Sequence, residues 1–476
     1  MRTVFVTLVG GLLCLAAVVP VAPAQQPVAT PYSGPPPKPT AARPELTLTD
    51  LESMALRGNP TLAQAAANVE AARGRALQAG LYPNPTVGYI GDQIGLRGKA
   101  APGELQGVFV DQTIVTAGKL KLNRAMFGAQ ASQMEAQALA QQYRVVNGVR
   151  TRYYQLLAMQ RLLDVRADLV KVADEAVTTT EELVNVGAAN KPDLLQARIE
   201  ARRERVGLEN ARTTYAAARK QLAAFVGNPD LTAARVEGDL EAVPTLPDYE
   251  ATLARLLEGS PEAMTARAEV DRAQVALRRE QVEPIPNVNV RIASGYNSTE
   301  EARRVTYGVQ VGVRLPVFDR NQGNIHAAQA QAALATAEVG RVELSLRDRL
   351  AREYARHRTA QTLADAYRKQ SLPEAKEAYE LYLDSFRKRR AAWPQVLVAQ
   401  RMYFQINEEY VDALDRLRRA EVAILGYLLV DGLDQPPGPG AEGRRAEPEG
   451  VDRLPDPIGG EGRSIRERLG SRPGGD

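Results

Sequence analysis

From Val305 to Leu315 apolar and polar or small residues alternate without a break. Val305, Tyr307, Val309, Val311, Val313 and Leu315 fall on one parity, and Thr306, Gly308, Gln310, Gly312 and Arg314 on the other. Asn287 to Tyr296 alternates in the same way, with Val288, Val290, Ile292 and Tyr296 set against Asn289, Arg291 and small residues. A period of two over about ten residues, with one apolar and one polar or small face, predicts strands of the length and patterning found in membrane β-barrels. A less regular pair lies near Thr86 to Gln93 and Glu104 to Ile114. A half-buried soluble hairpin would show the same alternation.

Elsewhere the pattern is helical. Thr47 or Thr49 is placed to cap a helix running to about Ala79, where Gly80, Pro83 and Pro85 stop it. A second helix starts near Gly118 and meets no proline until Pro192, which opens a third that runs to about Gly227. The set then recurs at roughly Asp248 to Gln281, Gln322 to Phe386 and Pro394 to Leu429. At 1.5 Å per residue the long helix of each set spans on the order of 100 Å, beyond any globular core. Leu156, Leu163, Val170 and Val177 recur at heptad spacing, which suits coiled-coil packing.

The recurrence is a duplication. Leu56 to Pro60 (LRGNP) returns as Leu257 to Pro261 (LEGSP), and Tyr82-Pro83-Asn84-Pro85 as Glu283-Pro284-Ile285-Pro286, both 201 positions on. Lys191 to Arg198 returns as Trp393 to Gln400, 202 positions on. We divide the chain into a first repeat at 47–238 and a second at 239–431. A unit this long is not a solenoid repeat.

Composition adds a compartment. Arg2, the apolar stretch from Val4 to Val21 and Ala22-Pro23-Ala24 have the layout of a cleaved export signal over residues 1–24. The single cysteine, Cys14, lies inside it behind Leu12-Leu13, where an acylated cysteine would have a small neighbour, so cleavage would leave no thiol. Residues 25–46 are rich in Pro, Ala and Gln and residues 432–476 in Gly, Pro, Arg and Glu, compositions that predict a linker and a disordered tail. With 60 basic and 57 acidic residues the net charge is only +3, which gives no electrostatic case for a nucleic-acid partner. Beyond residue 25 no apolar run is long enough for a helical membrane span.

Four strands per chain cannot close a barrel, and a bilayer excludes an open sheet edge. Several copies must then share one barrel: two would give a narrow, filled one, and three a twelve-stranded one with room for a pore. The fold class is therefore mainly α with a membrane β-barrel part, the long helices extending the barrel as a tube.

Four segments also resemble a known family. Leu48 to Pro60 (LTDLESMALRGNP), Gln112 to Lys119 (QTIVTAGK), Val186 to Arg198 (VGAANKPDLLQAR) and Leu315 to Ile325 (LPVFDRNQGNI) resemble recurring motifs of TolC-like outer-membrane efflux proteins. The last is especially similar to the outer-membrane components of heavy-metal efflux pumps. The resemblance covers residues 47–431. It implies a homotrimer in outer-membrane lipid, with a twelve-stranded barrel and a helical barrel, serving a periplasmic adaptor and an inner-membrane pump of the RND type. Metal ions and other small molecules both stay open as cargo.

The turns at Gly187 to Pro192 and Arg387 to Pro394 join a long helix to its returning partner and so form the far end of the tube. In the family such turns meet the adaptor and narrow the pore. The resemblance assigns that role to Gly187, Asp193, Leu194 and Leu195, with Gln395, Val396 and Leu397 as second-repeat counterparts. Arg387-Lys388-Arg389-Arg390 would add a charged ring there, although a charge run is ordinarily a solvated turn. At the strand-to-helix junctions Gln112, Gly118, Pro316, Asp319, Asn321 and Gly323 read as residues that redirect the chain and cap helices.

Catalysis finds no constellation. The two histidines, His326 and His357, are isolated on helices, and no HExxH, CxxC or phosphate-cradling GxxxxGK[ST] occurs, so neither metal nor cofactor is expected. Glu408-Glu409 lies among arginines and reads as ion pairing, and Trp393 as a packing anchor. A periplasmic coiled-coil scaffold without a pore accounts for the helices but not for the alternating strands.

Overall fold

The computed structural model of the protein describes residues 46–92, 105–187, 189–229, 231, 235–242, 246–297, 304–388, 390–391, 393–434 and 436. The expected export signal, most of the linker, most of the tail and Arg389 lie outside the described residues.

The first expected helix is two. Thr47 and Asp50 form a reciprocal capping box at the start of α1 (Leu48–Gly58). The chain then turns extended at Asn59, whose side chain caps α2 (Pro60–Ala79) by accepting from the Thr61 amide at 3.0 Å. Proline cannot donate into the preceding turn and its ring clashes with the carbonyl four residues back, so Pro60 starts a helix rather than continuing one. The second repeat breaks identically at Ser260, between α5 (Tyr249–Gly259) and α6 (Pro261–Val282). LRGNP and LEGSP are thus break signals, which corrects both expected single helices.

The longest helix, α3 (Lys119–Asn185), has 67 residues and extends about 100 Å. Its return partner is α4 (Lys191–Phe225). The counterpart in the second repeat is not one α-helix. It runs as α7 (Gln322–Ala366), a π-helical turn at Tyr367–Ser371, and α8 (Leu372–Arg387), returning as α9 (Trp393–Leu425). Pro373 is the reason: it leaves one carbonyl of the preceding turn without its amide, and a widened turn absorbs the mismatch without ending the helix.

Heptad spacing holds in α3, but the buried seam keeps only Leu156 of the expected series. Val165, Leu169, Ala173, Ala176 and Thr180 are buried, whereas Leu163, Val170 and Val177 flank them half-buried. Among the small ones, Ala176 packs with Tyr379, Trp393 and Val396 of α8 and α9, and α4 lies along α3 with its own small residues Ala197 and Ala201 buried.

One core gathers Leu51, Val149, Leu156, Phe225, Leu414 and Leu417 from α1, α3, α4 and α9. Gly148 lets the buried Phe225 ring lie against the α3 backbone, where a Cβ would overlap it. Beside this core Arg418 is 1% exposed, its guanidinium donating to the Leu240 and Asp239 carbonyls and to Glu421 at 3.0, 3.1 and 3.0 Å. Three charge-assisted bonds are what make such burial affordable. At the start of the expected tail, the Gly432 carbonyl accepts from Thr61 and Gln141 at 3.0 and 2.9 Å.

The strands are β1 (Thr86–Asp92), β2 (Leu105–Ile114), β3 (Val288–Asn297) and β4 (Arg304–Val313). They form one antiparallel sheet in the order β1-β2-β3-β4. The β2–β3 pairing therefore joins the two repeats across the helices that separate them in sequence.

Candidate functional site

Pairing gives the sheet two faces. Val87, Val110, Ile292 and Val309 lie in one cross-strand row, and Tyr89, Val108, Ser294 and Tyr307 in the next. Except for Ser294 these side chains are large and apolar, and each is 45% or more exposed. An exposed apolar face running over four strands, interrupted in these two rows only at Ser294, is costly in water and suited to lipid. The other face is polar: Arg291 pairs with Asp111 at 3.0 Å, Thr113 donates to Asn289 at 2.9 Å, and the Arg291 guanidinium lies 4.7 Å from the centre of the Phe109 ring. Outside lipid and inside water is the arrangement a pore wall requires. No described helix is long and apolar enough to cross a membrane.

The junction residues turn the chain by backbone conformation rather than by capping the helices directly. Gly118 and Asn321 immediately precede α3 and α7 with φ of 68° and 59°, and neither offers a side-chain cap. Asn321 takes the left-handed conformation that glycine adopts freely and spends its amide on the Glu280 carbonyl at 2.9 Å. Asp319 accepts from the Asn321 amide at 2.8 Å, and Gln112 donates to the Pro83 carbonyl at 3.0 Å. Pro316 lies between β4 and α7, and Gly323 is the second residue of α7.

The tips are built differently. At the first, Gly187 with φ of 73° ends α3, its amide donating to the Val184 carbonyl at 3.0 Å, and Asp193 closes a capping box with Asn190 that starts α4. Leu194 is buried, but Leu195 is 50% exposed, as are Ile199 and Val206 farther along α4 at 65% and 61%. At the second tip Val396 and Leu397 are both buried, packed with Phe386 and Trp393 against the end of α3, and Gln395 is exposed. Trp393 is thus a packing anchor. Arg387, Lys388 and Arg390 are exposed, and Lys388 pairs with Asp384 at 2.6 Å.

Sequence reasoning expected ion pairing at Glu408 but missed the rest of a charged network behind the tips. Arg166 on α3 reaches Glu204 on α4 at 3.4 Å and Glu408 on α9 at 2.6 Å, while Arg401 on α9 grips Glu200 on α4 at 3.0 and 2.7 Å. Burial pushes the Glu408 carboxyl up and Arg166 opposes it. The available signal was Glu200 and Glu204, one turn apart beside the small seam residues Ala197 and Ala201. Glu409 instead accepts from the Tyr367 hydroxyl at 3.0 Å. Nearby, burial and Glu241 push the Tyr410 hydroxyl up to about 12. Among the described residues no three His, Cys, Asp or Glu side chains converge as a metal site would need.

Comparison with known proteins decides the family. A family model described as outer membrane efflux protein matches residues 51–228 and again 252–428, the two repeats of the duplication. The chain belongs to the outer membrane efflux protein family. It is similar to the cobalt-zinc-cadmium resistance protein CzcC of Cupriavidus metallidurans, with 27% identity over 392 residues that cover 81% of this chain and 90% of that protein. Its fold matches the outer membrane protein VceC of Vibrio cholerae, with a TM-score of 0.68 at 19% identity over 81% of this chain and 96% of VceC. CusC matches with a TM-score of 0.68 at 16% identity, over 81% and 92% of the two chains. This efflux protein is a channel component and not an enzyme, its helices and four-stranded sheet being the architecture of that family.

Proposed function

We propose that three copies of this efflux protein form a passive exit duct across the outer membrane and much of the periplasm. In this reading a periplasmic adaptor and an inner-membrane pump of the RND type supply the coupling and the energy. The observation that carries the reading is the sheet: apolar on one face, polar on the other, and ending in two edge strands within a single chain. Three such sheets give twelve strands, enough to enclose water. Helices of about 100 Å then extend the path on one side of the membrane.

Gly187, Asp193, Leu194 and Leu195, with Gln395, Val396 and Leu397, form the adaptor-facing end. Two features support this: the first turn ends α3 and the second ends the run of α7, π-turn and α8, and the first exposes apolar side chains along α4. Similarity to CzcC favours divalent transition-metal ions as cargo. Such a duct needs no tight metal site, because it releases what the pump delivers. Export through a cleaved signal at residues 1–24 completes the reading.

Membrane extraction tests the duct. The protein should stay with the membrane through high-salt washing, dissolve only in detergent and have the mass of three chains; a salt-extractable coiled coil would contradict it. Loss of cobalt, zinc or cadmium tolerance on deletion would assign the cargo, and unchanged tolerance to all three would overturn that assignment.

A further inference from the structure

The two repeats obey a common register. Within the first hairpin Val87 lies opposite Val110, and within the second Val288 lies opposite Val313. Advancing β1 by 201 positions and β2 by 203 converts one pair into the other. The same shifts hold beyond the strands: Tyr82-Pro83 becomes Glu283-Pro284, and Lys119, the first residue of α3, becomes Gln322, the first of α7.

The boundary between repeats inside the chain shows how one hairpin meets the next. There Ile114 lies opposite Val288 and Gln112 opposite Val290. Just beyond, the Thr116 hydroxyl donates to the Pro286 carbonyl at 2.7 Å, and the Lys119 ammonium lies 3.6 Å from Glu283. These contacts cover the junction: Val115 and Thr116 are half-buried and Lys119 is 4% exposed.

The corresponding junction of the second repeat has no such contacts among the described residues. Phe318, Asp319 and Gln322 stand at the places of Val115, Thr116 and Lys119, and all three are exposed, Phe318 by 92%. The reciprocal surface is bare at the other edge. Glu283, Pro284 and Pro286 are half-buried, but their counterparts Tyr82, Pro83 and Pro85 are exposed. A cavity of about 470 Å³ opens there, between Tyr82–Pro85 and Gln112–Ile114.

We infer that on assembly Leu315–Phe318 of one copy, whose Val317 amide in the single chain donates to the Leu315 carbonyl at 3.0 Å, extends β4 to pair with β1 of the next, Val317 opposite Val87 and Leu315 opposite Tyr89, with Phe318 entering the cavity beside Tyr82. The inference rests on the multi-chain barrel of the proposed function and specifies its seam. Both sheet edges would otherwise offer unpaired backbone groups to lipid. Pro316 falls opposite Gly88, and a missing amide is tolerated there because alternate residues of an antiparallel strand turn their N–H away from a given neighbour. Phe318 has the even number that marks the polar face of β4, where an apolar ring gains nothing from lipid and gains from a protein pocket.

Cysteine pairing tests the register in full-length protein in membranes, the sequence containing only Cys14 besides. Under mild oxidation Val87→Cys with Val317→Cys should give covalent dimers and trimers on a denaturing gel. The shifted pair Tyr89→Cys with Val317→Cys should give roughly tenfold less, because its Cα atoms lie beyond disulfide reach. Stronger linkage in the shifted pair, or none in either while the mass of three chains and the conductance persist, overturns the seam and leaves the duct standing. Failure of the parent protein to assemble overturns the duct itself. Phe318→Ala should lower the temperature at which the assembly dissociates in detergent. If it instead weakens only membrane partition, Phe318 is a lipid anchor and its place in the cavity is wrong.

Discussion

Asp111 and Arg291 meet 3.0 Å apart on adjacent strands from different repeats, on the polar face of the sheet, with the Phe109 ring beneath the guanidinium. The pair joins the two halves of the duplication, and in the proposed barrel it lines the water path. Arg291→Ala should leave an unbalanced carboxylate in each copy and shift the reversal potential toward cations. Arg291→Ala with Asp111→Ala should restore the parent value. Both groups keep contact with solvent, so the stability cost should stay near 1 kcal/mol or below. Unchanged selectivity in Arg291→Ala would place the pair away from the conducting path.

Gly148 and Phe225 make a stability prediction. An added Cβ at Gly148 would overlap a ring that is fully buried between α3, α4 and α1, so Gly148→Ala should destabilise by about 1–3 kcal/mol. Gly340, in the middle of α7, has open space at that position, and Gly340→Ala should stabilise by about 0.5–1 kcal/mol. Thermal denaturation of the two variants checks the contrast. Equal shifts of the same sign would contradict the packing described around Phe225.

The strands were the most legible part of the sequence, because a period of two is a local property. Val305 to Val313 reads as a strand with no knowledge of its partners, and β3 and β4 fell within a residue or two of their expected ends. The helix breaks at Asn59 and Ser260 were legible in principle, each being a capping residue followed by proline, but the surrounding helical composition masked them. The π-turn before Pro373 was not, since a proline inside a helix can end it, kink it or widen a turn, and packing on both sides decides. The α3 seam was misplaced for a related reason. Large residues such as Leu163 mark an apolar stripe, but its buried centre went to Ala173 and Ala176, where a neighbouring helix approaches closely. The junction motifs lie between β2 and α3 and between β4 and α7, and the left-handed backbone at Asn321 needed the structure.

Asp415 makes a prediction about pH. Burial holds its carboxyl above the ordinary value near 3.8, outweighing the pull of Arg419 at 2.5 Å. The folded chain therefore binds this proton more tightly than the unfolded chain does. The group's contribution to stability is full below the ordinary value and is lost as pH rises through the window from there to the raised value. Asp415→Asn should gain stability at neutral pH and nothing in strong acid. Denaturation midpoints measured from pH 3 to 8 read the difference, and a gain independent of pH would contradict it.

Charge at the second tip should act on ions rather than on assembly. Replacing Arg387, Lys388 and Arg390 with glutamate should leave the mass of the detergent-purified protein unchanged and move its selectivity toward cations. It should also weaken adaptor capture if that end docks the adaptor. Unchanged selectivity and unchanged capture would reduce the run to a solvated turn.

Single-channel recording of the detergent-purified protein in planar bilayers, with its mass determined on the same sample, tests the central claim most directly. The account predicts discrete conductance steps from an assembly of three chains. A membrane-inserted assembly of that mass with no conductance, even after the ion pairs of Arg166 and Arg401 behind the tips are removed by substitution, would contradict it.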